Sequence, residues 1–144
     1  MKACVVDDDH TSLVLIGEFL EDQGWDVSLF NHPSAKSSDG SNLEDIVSQE
    51  DNKLLIMDVR FGRDKEGLKL GLQTVKNLIE QKKINLECMI LFVSQFGQED
   101  INFCTYENSL KGKGINCAWF DKPIDFILLN SYISAISSID RNIK

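Results

Sequence analysis

Four apolar runs, each ended by a polar side chain, limit what this chain of 144 residues can fold into. The runs are Val5-Val6 before Asp7-Asp8-Asp9, residues 54–57 before Asp58, residues 89–93 before Ser94, and Trp119-Phe120 before Asp121-Lys122-Pro123. Short apolar runs bounded in this way are typical of buried strands in a parallel sheet. In an open α/β sheet, ligands bind outside the carboxyl ends of the strands. We therefore expect the residues that follow these runs to meet at one site.

The polar residues after the runs have the chemistry of a cation and phosphoryl site. Three acids follow the first run, one acid the second and a hydroxyl the third, while a lysine stands two positions after the last. Neighbouring carboxylates repel one another unless a cation screens them, and oxygen ligands of this kind suit Mg²⁺. The hydroxyl and the ammonium group can donate hydrogen bonds to phosphate oxygens. The pattern predicts a site for a divalent cation and a phosphoryl group.

Composition narrows the classes of function. The chain has 23 Asp and Glu against 15 Lys and Arg, a formal charge of -8, which repels nucleic-acid phosphates and anionic membrane surfaces. We therefore expect no nucleic-acid partner and no membrane partner. The four cysteines, Cys4, Cys88, Cys104 and Cys117, have no CxxC spacing and are interpreted as small buried hydrophobic residues in a reducing compartment. Since no apolar stretch reaches membrane-spanning length, we expect a cytoplasmic protein.

Apolar residues recur at helical spacing between the strands. The predicted helices are residues 13–20 with Leu13, Ile16, Phe19 and Leu20; about 42–49; 68–79 with Leu68, Leu72, Val75 and Ile79; 98–111; and a last helix from Pro123 with Phe126, Leu129, Ile133, Ile136 and Ile139 facing inward. Gly24 is placed to end the first helix in a left-handed conformation, and residues 27–30 predict a short second strand. Pro123 is expected to begin the last helix, with Asp125 in its first turn.

The alternation of five strands with five helices defines the fold class. Because parallel neighbours are joined by right-handed crossovers, it predicts an α/β fold, a doubly wound five-stranded parallel sheet with helices on both faces. The sequence ends with the fifth helix. We therefore expect a single domain over residues 1–144, with its core at about residues 2–140.

With its polar residues at these strand ends, the sequence resembles the receiver domain of response regulators in two-component signal transduction. The residues that carry the resemblance are Asp7 and Asp8 after the first strand, Asp58 ending the third, Ser94 ending the fourth, and Lys122-Pro123 after the fifth. The resemblance implies the flavodoxin-like strand order 2-1-3-4-5. It also implies that Asp58 accepts a phosphoryl group, so that the chain is a phosphoprotein rather than an enzyme that turns over a substrate.

The resemblance implies a role for each residue of the site. The implied Mg²⁺ ligands are Asp8 and Asp58 directly, Asp7 through a water molecule, and Arg60 through its backbone carbonyl. The cation would neutralise charge as the phosphoryl group moves from a phosphohistidine to Asp58. Lys122 would pair with Asp58 at rest and with a phosphoryl oxygen afterwards, and the hydroxyl of Ser94 would donate to the phosphoryl group.

Signalling would follow from a change of shape. As Ser94 moves, the resemblance implies that Trp119 turns inward and remodels the face made by the fourth helix, the fifth strand and the fifth helix. The implied donor is a sensor histidine kinase or a phosphotransfer protein, and the implied partner at that face is a downstream protein or a second copy of the chain. Three features depart from the family pattern: Gln95 stands where a small residue is usual, the loop 59–67 has no proline, and Trp119 is bulkier than the usual tyrosine or phenylalanine.

Two other functions stay open. Residues 7–11, Asp-Asp-Asp-His-Thr, also match the motif of haloacid-dehalogenase-type phosphatases, with Asp7 as nucleophile and Asp9 as general acid. That hypothesis takes Ser94 as the second motif, Asp121 and Asp125 as metal ligands, and Lys111 or Lys113 as the lysine, and it leaves Asp58 and Lys122-Pro123 unexplained. In the receiver hypothesis, Asp9 instead caps the first helix. A degenerate receiver that binds a partner without phosphorylation is the third hypothesis.

Overall fold

Strands and helices alternate along the chain in the computed structural model, which describes residues 1–62, 69–95 and 103–143, with side chains as far as residue 136. The strands are β1 (Lys2–Val6), β2 (Asp26–Phe30), β3 (Asn52–Asp58), β4 (Met89–Ser94) and β5 (Cys117–Asp121). The helices are α1 (His10–Asp22), α2 (Leu43–Val47), α3 (Leu70–Glu80), α4 (Phe103–Gly112) and α5 (Phe126–Ile143).

The five strands form one parallel sheet in the order β2-β1-β3-β4-β5. The predicted fold class and strand order are confirmed. In this order the chain runs from β1 outward to β2, then crosses back to β3 on the other side of β1. The switch in direction opens a crevice at the carboxyl ends of β1 and β3, which is where ligands bind in sheets of this type.

The alternation of side chains along the strands divides the core between the two faces of the sheet. Along β1, Cys4 and Val6 point to one face, and Ala3 and Val5 to the other. The first face is covered by α2, α3 and α4, through Leu43, Ile46, Val47, Leu72, Val75, Leu78, Ile79, Phe103 and Leu110. The second is covered by α1 and α5, through Leu13, Ile16, Leu20, Leu129 and Ile133. Helices therefore cover both faces, as predicted.

The ends of the first and last helices test the sequence predictions. Gly24 has a φ of 90°, the left-handed conformation predicted for the end of α1. The prediction that α5 begins at Pro123 is wrong, because the helix begins at Phe126 and the Lys122-Pro123 peptide bond is cis. Asp125 lies before the first turn, where its Oδ1 accepts hydrogen bonds from the N–H groups of Ile127 (2.9 Å) and Leu128 (3.2 Å). It caps the helix, since its side chain satisfies N–H groups that the first turn leaves free.

One cysteine prediction is also wrong. Cys4, Cys88 and Cys117 are buried, but Cys104 is exposed on α4. The buried residues of α4 are Phe103 and Leu110, seven positions apart on one stripe of the helix, and Cys104 points away from that stripe. Predictions for Leu68 and residues 98–102 lie outside the described residues, as does the side chain of Ile139. No helix in the described ranges is long and apolar enough to cross a membrane.

Candidate functional site

Backbone hydrogen bonds continue past the strand ends and fix the polar residues at one edge of the sheet. The N–H of Asp7 donates to the carbonyl of Phe30 at 3.0 Å, and the N–H of Val59 donates to the carbonyl of Val93 at 3.0 Å. The N–H of Lys122 donates to the carbonyl of Ser94 at 2.8 Å. Because all five strands are parallel, these junctions lie at the same carboxyl edge, as the sequence predicts.

Lys122 joins the carboxylates of β1 and β3. Its ammonium nitrogen lies 3.2 Å from Oδ1 and 3.0 Å from Oδ2 of Asp7, and 3.3 Å from Oδ2 of Asp58. The side chains of Lys122, Asp7 and Asp58 are 10%, 2% and 6% exposed. A lysine that follows β5 therefore forms an ion pair with two nearly buried acids from the two strands that flank the topological switch.

Asp8 faces the loop that follows β3. Its Oδ2 accepts a hydrogen bond from the N–H of Gly62 at 3.0 Å. Gly62 has a φ of 74°, a left-handed conformation that a glycine adopts without a steric penalty. The Nε of Arg60 donates to the carbonyl of Gly62 at 3.0 Å. This part of the loop is thereby held against the end of β1, beside the exposed carboxylate of Asp8.

The acids carry more negative charge than the lysine can balance. Burial, followed by the charge of Asp7, raises the pKa of Asp58 from 3.8 to about 8, although Lys122 acts in the opposite direction. Burial by itself would lower the pKa of Lys122, but the carboxylates of Asp58 and Asp7 outweigh it and raise that pKa above 10.5. The cluster therefore binds a proton on Asp58 readily, and another cation could take the place of that proton.

The donor set fits Mg²⁺. One carboxylate oxygen each from Asp7, Asp8 and Asp58 can be chosen so that all three lie within 4.8 Å of one another. Hard oxygen ligands and excess negative charge are what this cation requires. The carboxylates open onto a cleft of about 460 Å³, which is lined by Asp8, Asp9, Asp58, Arg60, Gly62, Gln95 and Lys122. Of the predicted ligands, Asp8, Asp58 and Arg60 line the cleft, whereas Asp7 is buried and is not among its lining residues.

The two predicted switch residues, Ser94 and Trp119, lie on the neighbouring strands β4 and β5. Ser94 is 1% exposed at the end of β4 and pairs in register with Asp121 of β5. Trp119 is already largely buried, with its ring centroid 4.8 Å from that of Phe103 on α4 and its Nε1–H donating to Oδ1 of Asp121 at 3.0 Å. The side chain therefore occupies an inward position here, and its movement on phosphorylation stays a prediction.

The residues that the phosphatase hypothesis requires do not come together in the same way. Asp9 is the N-cap of α1, since its carboxylate accepts hydrogen bonds from the N–H of Thr11 (3.1 Å) and the hydroxyl of Ser12 (3.0 Å). Lys111 forms an ion pair with Glu107 on its own helix, at 3.6 Å. Lys122 is the lysine that contacts the buried carboxylates, and the phosphatase hypothesis gives it no role.

Two glycines contribute to the site and were missed in the sequence. Gly62 donates a hydrogen bond from its N–H group to Oδ2 of Asp8. Gly71, in the first turn of α3, donates its N–H to the carbonyl of Val59 at 2.9 Å, and a Cβ added to it would overlap the carbonyl oxygen of Asp58. The sequence signal for Gly71 is a glycine inside a helical pattern, which often reflects close packing.

The chain is similar to known proteins in structure and not in sequence. No protein-family model matches the sequence, and no curated protein matches it. Solved structures do match. A response regulator from Colwellia psychrerythraea is 21% identical with a TM-score of 0.67, covering 95% of this chain and 96% of its own. A response regulator receiver protein from Pseudoalteromonas atlantica is 10% identical with a TM-score of 0.71, covering 96% and 98%.

A third structural neighbour has a modified aspartate. It is a response regulator protein from Burkholderia pseudomallei "with a phosphorylated aspartic acid, calcium ion and citrate". It is 16% identical with a TM-score of 0.58, covering 98% of this chain and 71% of its own. Together these neighbours show that the chain has the fold of response regulator receiver domains, which confirms the predicted resemblance at the level of the fold.

Proposed function

We propose that the chain is a phospho-accepting receiver domain of a two-component system, with Asp58 as the acceptor. The observation that carries the proposal is the contact of Lys122 with both Asp7 and Asp58 at the mouth of a cleft that Asp8 also lines. A purely structural role would favour a balanced ion pair. This cluster instead has an excess of carboxylates, as a cation site requires, and the Burkholderia pseudomallei neighbour gives a precedent for phosphorylation in this fold.

Phosphoryl transfer would form one bond and break one bond. An oxygen of the Asp58 carboxylate bonds to phosphorus as the P–N bond of the donor phosphohistidine breaks, and the imidazole leaves with the electron pair. Mg²⁺, when bound, supplies positive charge that offsets the repulsion between the carboxylate and the phosphoryl group. Asp8 and Asp58 would hold the cation, and Asp7 and the backbone carbonyl of Arg60 would contribute to its site.

The other residues of the site act on the phosphoryl oxygens. Lys122 moves from its contact with Asp58 to a phosphoryl oxygen, because the transferred group carries more negative charge than the carboxylate alone. Ser94 donates its hydroxyl to a second oxygen. The acyl phosphate is held by these groups and by the cation, so the chain acts as an acceptor and not as an enzyme with many turnovers.

The signal is passed on through protein contacts. The donor is a sensor histidine kinase or a phosphotransfer protein. Trp119, on β5, packs against Phe103 of α4 and pairs in register with Phe92 on β4, two residues before Ser94, so a movement of Ser94 would reach it along β4. The face made by α4, β5 and α5 then binds a downstream protein or a second copy of the chain. Neither nucleic acid nor membrane is a partner in this scheme.

The test is phosphorylation by acetyl phosphate with Mg²⁺, followed by intact-mass measurement. We expect the wild type to gain one phosphoryl group, which is lost in EDTA or in Asp58→Asn. Asp9→Asn is the matched control, since it makes the same chemical change in a neighbouring acid that caps α1. It should be labelled like the wild type. Equal labelling of Asp58→Asn and the wild type would contradict the assignment of the acceptor.

The same measurement separates the two rival functions. A phosphatase of the haloacid-dehalogenase type would carry the label on Asp7, would turn over the donor, and would be inactivated by Asp9→Asn. A degenerate receiver would remain unlabelled with every phosphodonor although its circular dichroism shows the native fold. Peptide mapping of the labelled protein identifies the modified aspartate.

A further inference from the structure

The helical glycines of this chain differ in what surrounds them. An added Cβ at Gly112 of α4 would meet nothing within 4 Å, and one at Gly17 of α1 would meet the end of the Leu29 side chain at 3.0 Å. At Gly71 of α3 it would overlap the carbonyl oxygen of Asp58 and lie 2.9 Å from the Cα of Val59. Gly71 is therefore the helical glycine, among those described, that touches the backbone of the proposed phospho-acceptor.

We infer that Gly71 is a positioning residue for Asp58: it lets the first turn of α3 rest on the backbone of residues 58 and 59 and so sets where the acceptor carboxylate lies. The inference rests on the proposed function. It adds to the site a residue that touches neither the cation nor the phosphoryl group, and that lies 13 positions along the chain from Asp58.

The contact is fixed from both sides. The N–H of Gly71 donates to the carbonyl of Val59 at 2.9 Å, while the N–H of Val59 donates to the carbonyl of Val93 on β4 at 3.0 Å. Leu72 and Val75, on the same helix, are each 1% exposed in the core. Helix α3 cannot move outward without opening that core, and β3 cannot move without breaking its ladder. An added methyl group must therefore shift the backbone that carries Asp58.

Such a shift would reach the reacting atoms directly. The Oδ2 of Asp58 lies 3.3 Å from Nζ of Lys122, and one of its oxygens shares a space 4.8 Å across with oxygens of Asp7 and Asp8. Binding of a cation and in-line attack on phosphorus both depend on these distances. A misplacement of about 1 Å can cost about a hundredfold in rate.

The experiment compares Gly71→Ala with the matched controls Gly17→Ala and Gly112→Ala. All three replace a helical glycine by alanine, so the chemical change is the same and differences in phosphorylation or Mg²⁺ binding reflect the position and its surroundings. For each protein we would measure the phosphorylation rate constant at saturating acetyl phosphate and Mg²⁺, the Mg²⁺ dissociation constant, and a crystal structure. Rates are taken at a temperature at which urea titration shows the variant to be folded.

We expect Gly71→Ala to be phosphorylated about a hundredfold more slowly, with weaker Mg²⁺ binding and a lengthened contact between Asp58 and Lys122. The controls should keep the wild-type rate constant and Mg²⁺ affinity. A loss of stability alone would lower the folded fraction but would leave the rate constant and Mg²⁺ affinity of the folded molecules unchanged. Folded Gly71→Ala with wild-type values for both, and with Asp58 in its wild-type position, would overturn the inference.

The inference can still be tested if Gly71→Ala does not fold or if the wild type takes no phosphoryl group. If Gly71→Ala does not fold, the amide resonance of Gly71 is followed in the wild type as Mg²⁺ and beryllofluoride, a phosphoryl mimic, are added. It should shift while that of Gly17, on α1 at the opposite face of the sheet, does not, and an unmoved Gly71 resonance overturns the inference. If the wild type itself takes no phosphoryl group, the proposed function fails. The position of Asp58 in the crystal structure of Gly71→Ala then still decides whether Gly71 positions it.

Discussion

The two ends of the sheet both bury polar side chains, but they do so with different chemistry. At the carboxyl end, Asp7 and Asp58 share Lys122. At the amino end, Asn52 is fully buried at the start of β3. Its Oδ1 accepts from the Sγ of Cys4 and its Nδ2 donates to the Sγ of Cys88, each at 3.5 Å. One cluster is made of charges and the other of neutral groups.

This difference indicates which end is built for binding. Burial raises the pKa of the Cys4 thiol to about 12 and that of Cys88 well above its usual range, so both stay protonated and the buried cluster at the amino end is neutral. Its donors and acceptors pair with one another. The carboxyl end holds two acids against one lysine, with Asp8 nearby, and its unfavourable charge is relieved only when a further cation binds. We therefore interpret the amino end as structural.

Removing the lysine should have the largest effect on this contrast. Lys122→Met keeps most of the side-chain length but leaves Asp7 and Asp58 buried without a counter-ion. We expect the free energy of unfolding at pH 8 in EDTA to fall by about 3–5 kcal/mol, measured by urea titration.

The matched control is Lys53→Met at the amino end. Lys53 also pairs with an acid, Glu87, at 2.7 Å, but the Glu87 side chain is 73% exposed and water screens the pair. Lys53→Met should therefore lower the free energy of unfolding far less than Lys122→Met does. Equal losses in the two variants would mean that the buried ion cluster contributes no more to stability than a surface pair does.

A charge placed at the amino end should be the next largest change. Asn52→Asp keeps the shape but replaces the amide that donates to Cys88 with a carboxylate. We expect a loss of about 3 kcal/mol in the free energy of unfolding at pH 8, because a buried donor is lost and a carboxylate is left buried among the thiols that faced the amide. The loss should shrink in acid, where the new carboxyl is protonated.

Asn116→Asp makes the same chemical change at an exposed position near that end and serves as the control. It should leave the unfolding free energy nearly unchanged at both pH values. If Asn52→Asp were equally mild at pH 8, the amino end would tolerate a charge and the contrast between the two ends would fail.

The next effect, the pH dependence of stability, should be smaller than the loss in Asn52→Asp. Its sign should be opposite to that expected for an ordinary salt-bridged acid. The pKa of Asp58 is raised in the folded state, from 3.8 to about 8, so the folded state binds more protons than the unfolded state in that range. The stability of the metal-free protein should therefore fall as the pH rises from about 4 to about 8. Asp58→Asn removes the buried charge and should flatten this slope.

We expect Asp58→Asn to equal the wild type near pH 4 and to exceed it by about 2 kcal/mol at pH 8, by urea titration in EDTA. This gain in the free energy of unfolding is smaller than the whole pKa difference implies, because the variant also loses the attraction between Asp58 and Lys122, which keeps only Asp7 as its partner. Mg²⁺ should restore part of the stability of the wild type at pH 8 and little of that of the variant. A wild-type stability that rises with pH across this range would contradict the raised pKa.

The strand ends could be predicted from the sequence because they depend on local pattern. An apolar run that stops at a polar residue marks the end of a buried strand, and parallel pairing then brings Asp58, Ser94 and Lys122 to one edge. The start of α5 was misplaced because Pro123 and Asp125 are both helix-start signals, and only the backbone shows which one is used.

The residues that the sequence did not reveal depend on contacts between distant segments. Gly71 meets Asp58 from 13 positions further along the chain, Asp8 accepts a hydrogen bond from Gly62 across 54 positions, and Asn52 joins two cysteines on other segments. A local pattern carries no signal for such pairs, because loop closure decides which segments meet. The acidic run 7–9 shows the same limit, since three identical side chains take three different partners.

The smallest predicted effect separates the third acid of that run from the other two. Asp9 caps α1 through the N–H of Thr11 and the hydroxyl of Ser12, and these hydrogen bonds, the one from Ser12 first, lower its pKa. Asp9→Ala removes the cap and should cost about 1 kcal/mol in the free energy of unfolding. Asp9→Asn keeps an oxygen acceptor and should cost less. Both should bind Mg²⁺ as the wild type does by calorimetry, whereas Asp8→Asn should bind it weakly. Weakened Mg²⁺ binding in Asp9→Asn would place Asp9 in the cation site and remove the distinction between cap and ligand.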